Sequence, residues 1–176
     1  MAEQQCQNTV LGGAKSVKIA PLGAEKTAAI DLGFTNGGVT LTAAVEKTDV
    51  VVDQSVVPVR KIATAAQYTL SIPLAGITPE NLALAFGVEL DGSGIATLTK
   101  ESYYQVWIET DGPVNDSGVK ATREFYFAKV SFNGTGEIAL SRTDQQTVTL
   151  EGSIVNCPTE GKNTGFMSVN DSYAGA

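Results

Sequence analysis

AQYTLSIPLAGITPENLALAFG, residues Ala66 to Gly87, sets a strand and a helix end to end. Ala66, Tyr68, Leu70, Ile72 and Leu74 are apolar, and Gln67, Thr69 and Ser71 between them are polar. That period of two predicts a strand with one buried face. After a turn at Ala75 to Ile77, Thr78 suits an N-cap and Pro79 the first helical position, where its missing N–H has no partner to lose. Gly87 suits the left-handed residue that stops a helix. Leu82, Leu84 and Phe86 leave this short helix, about residues 79–86, apolar on nearly every side, so more than one face needs a cover. Either the rest of the chain or a neighbouring copy supplies it.

Working outward, no other stretch reads as a helix. Towards the N-terminus, Lys15 to Ala20 and Lys26 to Leu32 read as short strands around a Pro21/Gly23 turn. Val39, Leu41, Ala43 and Val45 alternate with Thr40, Thr42, Ala44 and Glu46, and a turn is expected at Glu46 to Thr48. The next segment, Asp49 to Lys61 (DVVVDQSVVPVRK), combines high β-propensity with apolar side chains; projecting alone it would invite aggregation, so it is either a core strand with a Pro-broken edge or a surface that meets a partner.

Beyond the helix, Ile95 to Thr99 and Tyr103 to Thr110 read as strands, with Tyr104, Val106 and Ile108 inward and Trp107 on the polar side. Asp111 to Gly118 reads as a loop. In Ala121 to Phe132 the phase changes partway: Phe125 and Phe127 are odd, Val130 and Phe132 even. A bulge or bend near Ala128 and Lys129 is the expected cause. Ile138 and Leu140 share a phase, and Thr147 to Val155 supplies a last strand. The organisation expected is an N-terminal arm (1–13), one β-sandwich domain (14–155) and a C-terminal arm (156–176).

Composition limits what such a fold can do. With 43% hydrophobic and 18% charged residues the 176-residue chain is globular and can bury its own core. Its 19 acidic and 12 basic side chains give a net charge of −7, which opposes binding to phosphate backbones. The N-terminus shows neither the positive nor the apolar region of a signal peptide, and no run reaches the ~20 apolar residues of a membrane span. The chain therefore reads as a soluble protein made in the cytoplasm, with Cys6 and Cys157 as free thiols. No histidine is present, which removes the commonest general base and zinc ligand. Phosphate-cradling loops, dinucleotide fingerprints and nucleophile elbows are absent, and Asp91-Gly92-Ser93-Gly94 is a glycine turn rather than a calcium loop. The reading is no catalytic residue, no metal site, no cofactor and no enzyme.

Arg123 to Glu151 (REFYFAKVSFNGTGEIALSRTDQQTVTLE) resembles the C-terminal half of tail tube (major tail) proteins of long-tailed bacteriophages. In that family an aromatic strand leads to an NGEIAL-like strand and a polar T-D-x-x-T-V step. Two further family features stand in the same order: the valine-rich Asp49 to Gln54 followed by Pro58-Val59, and the E-N-L-x-x-A-x-G helix at Glu80 to Gly87. The resemblance covers roughly Ala14 to Val155. The NGEIAL-like strand departs from the pattern with two extra residues, and the 156–176 tail matches no family pattern.

The resemblance implies a mainly β fold, a β-sandwich or partial barrel with one flanking helix. Copies would close into homohexameric rings with a continuous inner β-barrel, and rings would stack into a tube in the virion tail, assembled in the bacterial cytoplasm. By position, Thr48, Asp49, Val50, Val51, Val52, Asp53, Gln54, Val56 and Val57 would form the ring-to-ring loop. Leu82, Leu84 and Phe86 would lie at subunit contacts. Glu46, Asp49, Glu124 and Glu137 are candidates for acidic groups facing the lumen, where double-stranded DNA passes without specific binding. Further partners implied are the tape measure, terminator and distal tail proteins; no membrane is involved. The alternative reading is an immunoglobulin-like binding module that recognises a carbohydrate or protein through Trp107, Tyr103 and the Asp111 to Gly118 loop.

Overall fold

The computed structural model describes residues 13–53, 57–94, 96–98, 102–115, 117–132, 134, 137–139, 146–157, 165 and 167–173. Of the expected N-terminal arm only Gly13 falls among these, and Cys6 lies outside the described residues.

Nine strands join one antiparallel sheet. Across it run β2 (Ile30–Asp31), β1 (Ala14–Pro21), β7 (Tyr103–Val114), β8 (Lys120–Phe132), β10 (Thr147–Ile154), β4 (Arg60–Leu74) and β3 (Thr40–Val50). β9 (Glu137–Ala139) pairs with β10 and β11 (Ser168–Tyr173) with β8, while β5 (Val88–Leu90) and β6 (Ala96–Leu98) form a separate hairpin. Inward residues of β1, β4, β7, β8 and β10 meet in one cluster that includes Val17, Ile72, Val106, Phe127, Val130 and Leu150. One sheet has therefore curled around a single core, which makes the molecule a partial barrel with one short helix, α1 (Pro79–Phe86).

A bulge lets β8 serve this curl. Tyr104 pairs with Val130 but Val106 with Phe127, so two residues of β8, Ala128 and Lys129, face one of β7, Gln105. Phe127 and Val130 are consequently both buried although their positions differ in parity. On its other edge β8 pairs with β11 through Ala121–Tyr126 and with β10 through Val130–Phe132.

The helix closes the end of the barrel just past Leu74. Thr78 Oγ1 accepts the Asn81 N–H at 3.2 Å, and Gly87 ends the helix with a φ of 61°. Its buried side is narrower than its apolar composition predicts, since only Asn81 and Ala85 are fully covered. Asn81 Nδ2 donates to the Leu32 and Gly76 carbonyls, both at 3.3 Å, so a buried polar side chain stitches the helix to the segment after β2.

Four expectations are corrected. Lys26–Leu32 is not one strand: Lys26–Ala28 is a 3-10 turn that sends the Lys26 ammonium towards two carboxylates, and only Ile30–Asp31 pairs. No turn occurs at Glu46 to Thr48. There β3 runs straight on, and the irregularity is a bulge in β4, where Glu46 pairs with Ala65 but Lys47 with Ala63. The Asp111 to Gly118 loop is shorter than expected, because β7 continues to Val114 through another bulge and β8 starts at Lys120. Finally, the C-terminal arm contributes β11 to the main sheet beyond residue 155.

Gly152 of β10 lies between Leu70 and Phe132, and a Cβ there would sit 2.5 Å from Val130 Cγ1. Gly152→Ala is expected to destabilise the fold by about 1–3 kcal/mol through overpacking, read as a lowered urea midpoint with an unchanged slope. A midpoint equal to that of the wild type would refute the close packing of β10 against β8.

Candidate assembly surface

The paired length of β3 and β4 exceeds what the barrel uses. β3 follows β4 from Thr40 opposite Ser71 to Val50 opposite Arg60, whereas β10 reaches β4 only from Tyr68 to Leu74. Residues 60–67 therefore have β3 as their only ladder partner among the described residues, and they are exposed along their length, as are residues 40–49. The two strands leave the body as a ribbon roughly 26 Å long, at ~3.3 Å per residue.

Its two faces differ. Alternation puts Leu41, Ala43 and Val45 on the side of Ala66, Tyr68 and Leu70, and Thr40, Thr42 and Glu46 on the side of Gln67, Thr69 and Ser71. At the root Leu70 is 1% exposed, while Leu41 and Val45 are 39% and 45% exposed. The apolar stripe thus begins in the core and runs out into water. Period two correctly separated the faces, but the face expected to be buried is not covered by this chain.

Past the Thr64 bulge, Lys61 pairs with Asp49 at 3.3 Å, and the tip carries Val51, Val57 and Val59, all more than half exposed. Of the residues expected in a ring-to-ring loop, Thr48, Asp49 and Val50 belong to β3, and Val51, Val52, Asp53 and Val57 belong to the tip. Gln54 and Val56 lie outside the described residues.

The three helix candidates separate. Leu82 and Leu84 are half-buried against the chain's own core, while Phe86 is exposed. Phe86 borders a groove of about 1060 Å³ that Leu84, Leu90, Ile30 and Tyr104 also line.

The acidic candidates do not converge either. Glu46 lies on the polar face of the ribbon and Asp49 on the other; Glu137 is exposed on β9. Glu124 is held in an ion-pair cluster. It stands opposite Glu109 across the β7–β8 ladder, and Lys26 Nζ bridges the two, bonding Glu124 Oε2 and reaching Glu109 Oε1 at 2.9 Å. The hydrogen bond that Lys26 donates to Glu124 raises the Lys26 pKa, and the one it donates to Glu109 holds the Glu109 carboxyl below its ordinary value.

The aromatic residues of the alternative reading form no open platform. Trp107 is 7% exposed and stacks on Tyr126 at 5.2 Å, and Lys129 sits over the Tyr103 ring at 4.0 Å. Asp111 is occupied by Lys15 and Lys120, and Asn115 Oδ1 organises the β7–β8 turn by accepting the Ser117 and Val119 N–H groups. Sequence reasoning missed the groove and Phe34, which is 86% exposed between Gly33 and Asn36-Gly37-Gly38. Phe34 belongs to no periodic segment, and the groove is assembled from elements far apart in the sequence, so periodicity flagged Leu84 and Phe86 but not the groove they border.

No family model matches the chain, and no curated protein matches it in sequence. Among solved structures, a chain of the cryo-EM structure of the anti-feeding prophage (AFP) baseplate, 6-fold symmetrised, aligns with a TM-score of 0.48 and 12% identity over 92% of this chain and 95% of that one. A likeness at that level says nothing about activity or partners.

β11 is exposed, and Arg123 grips Asp171 through Nε and Nη2, at 2.7 and 2.8 Å. That guanidinium holds the Asp171 carboxyl below its ordinary value. A depressed carboxyl pKa stabilises above the unfolded value of about 3.9 and loses that contribution as pH falls through the folded one. Solvent screening limits it to about 1 kcal/mol. Arg123→Ala is therefore expected to lower the hydrogen-exchange protection of Val169 to Ser172 at neutral pH, with the difference from wild type vanishing below the carboxylate range. Equal protection at neutral pH would refute the clamp.

Proposed function

We propose that the chain is a structural subunit of the tail tube of a long-tailed bacteriophage. Copies close into homohexameric rings whose β3–β4 ribbons pair edge to edge into an inner barrel, and rings stack into a hollow conduit for the genome. The observation that carries this reading is the ribbon itself. Its apolar stripe is exposed and its edges have no further ladder partner among the described residues, and an isolated two-stranded ribbon is marginal in water. Closure into a ring gives each free edge a partner and removes the template for uncontrolled pairing.

Two further features support the reading. The motifs at Asp49 to Val59, Glu80 to Gly87 and Arg123 to Glu151 stand in the order found in tail tube proteins. The polar ribbon face, with Thr40, Thr42, Glu46, Gln67 and Thr69, suits a wall that DNA passes without being held, and the net charge of −7 repels phosphate rather than retaining it. Within this reading Thr48 to Val57 meets the adjacent ring, and the tape measure, terminator and distal tail proteins meet the tube.

Purified protein viewed by negative-stain electron microscopy is expected to show rings or hollow tubes. A particle that stays monomeric at high concentration would overturn the proposal. Val45→Asp, on the exposed stripe, is expected to change folding stability by no more than about 0.5 kcal/mol while abolishing assembly. Deleting Thr48 to Val57 is expected to leave the domain folded and rings intact but to stop stacking; full-length tubes from that variant would refute the loop assignment.

A further inference from the structure

We propose that the groove beside α1 is the receptor for the valine-rich ribbon tip of a second copy, so that the two ends of β4 are plug and socket of one head-to-tail contact. This rests on the reading that rings stack through the ribbon, and it adds where the ribbon docks.

Three observations carry it. The first is position. β4 runs unbroken from Arg60, at the root of the tip, to Leu74, from which Ala75–Thr78 lead into α1. Ser131 and Phe132 in the groove wall stand across β10 from Thr69 and Leu70 of β4, so about nine steps of ~3.3 Å, roughly 30 Å, separate the tip from the groove. A tip cannot reach the groove of its own chain, so the occupant is another copy.

The second is shape and polarity. The tip offers exposed apolar side chains in Val51, Val57 and Val59, and the groove offers concave apolar surface in Leu84, Phe86, Leu90, Ile30 and Tyr104. Each is the apolar feature the monomer leaves open at its own end of β4. Contact between unlike surfaces at opposite ends of the molecule is head-to-tail, and along the tube axis it propagates as a stack.

The third is charge. Among its described lining residues the groove carries Glu80, Glu89 and Asp91 and no lysine or arginine. Arg60 follows directly behind Val59, next to it Lys61 is paired with Asp49, and Lys47 stands opposite Ala63 on β3. When the valines enter, these cations arrive at an acidic rim, which favours this register over tip-to-tip or groove-to-groove pairing.

The test replaces Val59 with the photo-crosslinking residue p-benzoylphenylalanine, irradiates the assembled protein and maps the adduct by mass spectrometry. The expected adduct joins residue 59 of one copy to the peptide spanning residues 79–94 of another. It is lost in Phe86→Asp and in the Arg60→Glu/Lys61→Glu double variant, and regained when the latter is combined with Glu80→Lys/Glu89→Lys. Because Phe86 is exposed, Phe86→Asp keeps a wild-type unfolding transition. Intermolecular adducts outside residues 79–94 in well-formed tubes would overturn the docking site and leave the tube reading intact. Absence of any self-association in the unsubstituted protein would overturn both. Failure of the lysine pair to restore the adduct would overturn the electrostatic register.

Discussion

The constraint on which the molecule depends is that β4 is one strand with two environments. Between Tyr68 and Ser71 it is clamped on both sides, by β10 and by β3, β10 continues to Leu74, and Leu70, Ile72 and Leu74 are fully buried in the barrel core. From Arg60 to Gln67 only β3 accompanies it among the described residues. A strand anchored so firmly at one end transmits its direction to the other, so the ribbon is aimed by the core and not by its own contacts. The helix inherits the same reference: Thr78 caps it four residues after Leu74, and Asn81 fixes it to the Leu32 and Gly76 carbonyls.

Exposed apolar surface is unevenly placed. Leu41, Val45, Val51, Val52, Val57, Val59 and Ile62 make the ribbon the main site of large exposed hydrophobic side chains. The outward face of β7 and β8 is settled differently. There the like charges of Glu109 and Glu124 are bridged by Lys26, Asp111 is shared by Lys15 and Lys120, and Arg123 is matched with Asp171. Such partly exposed pairs contribute little stability individually, but they leave that face of the monomer electrically satisfied. Apolar exposure concentrated on one projection, rather than scattered over the surface, is the pattern of an interaction site.

Much of this was legible in the sequence, and what was not has identifiable causes. The helix was readable to the residue because its caps are chemically specific: Thr78, Pro79 and Gly87 each do something few other residues do. The bulge at Ala128–Lys129 was readable because one apolar stripe changes parity. The bulge in β4 was not, because Thr64 sits among alanines whose small side chains carry no phase information, and the β3 segment opposite it, Glu46 to Thr48, was read as a turn. Trp107 was read on the polar side of its strand, and what covers it there is stacking on Tyr126, a pairing that depends on the cross-strand register. Lys26 looked like the start of a strand because its role is set by two glutamates far along the chain. β11 has too polar a pattern to announce itself.

The ribbon shows where single-sequence reading stops. Alternation in Val39 to Val45 reports that one face must avoid water, but the same alternation arises whether the cover comes from the chain itself or from another copy. Only the strand lengths decide it, since β10 ends its pairing at Tyr68 while β3 and β4 continue together for another eight positions. The charge of the chain then limits how copies can meet. Each carries a net charge of −7, so bringing several together is opposed by repulsion that salt screens over ~8–10 Å. Contacts that overcome it must be apolar or locally matched in sign, and the ribbon with its valine tip, its Arg60 and Lys61 root and its polar opposite face combines both kinds on one element.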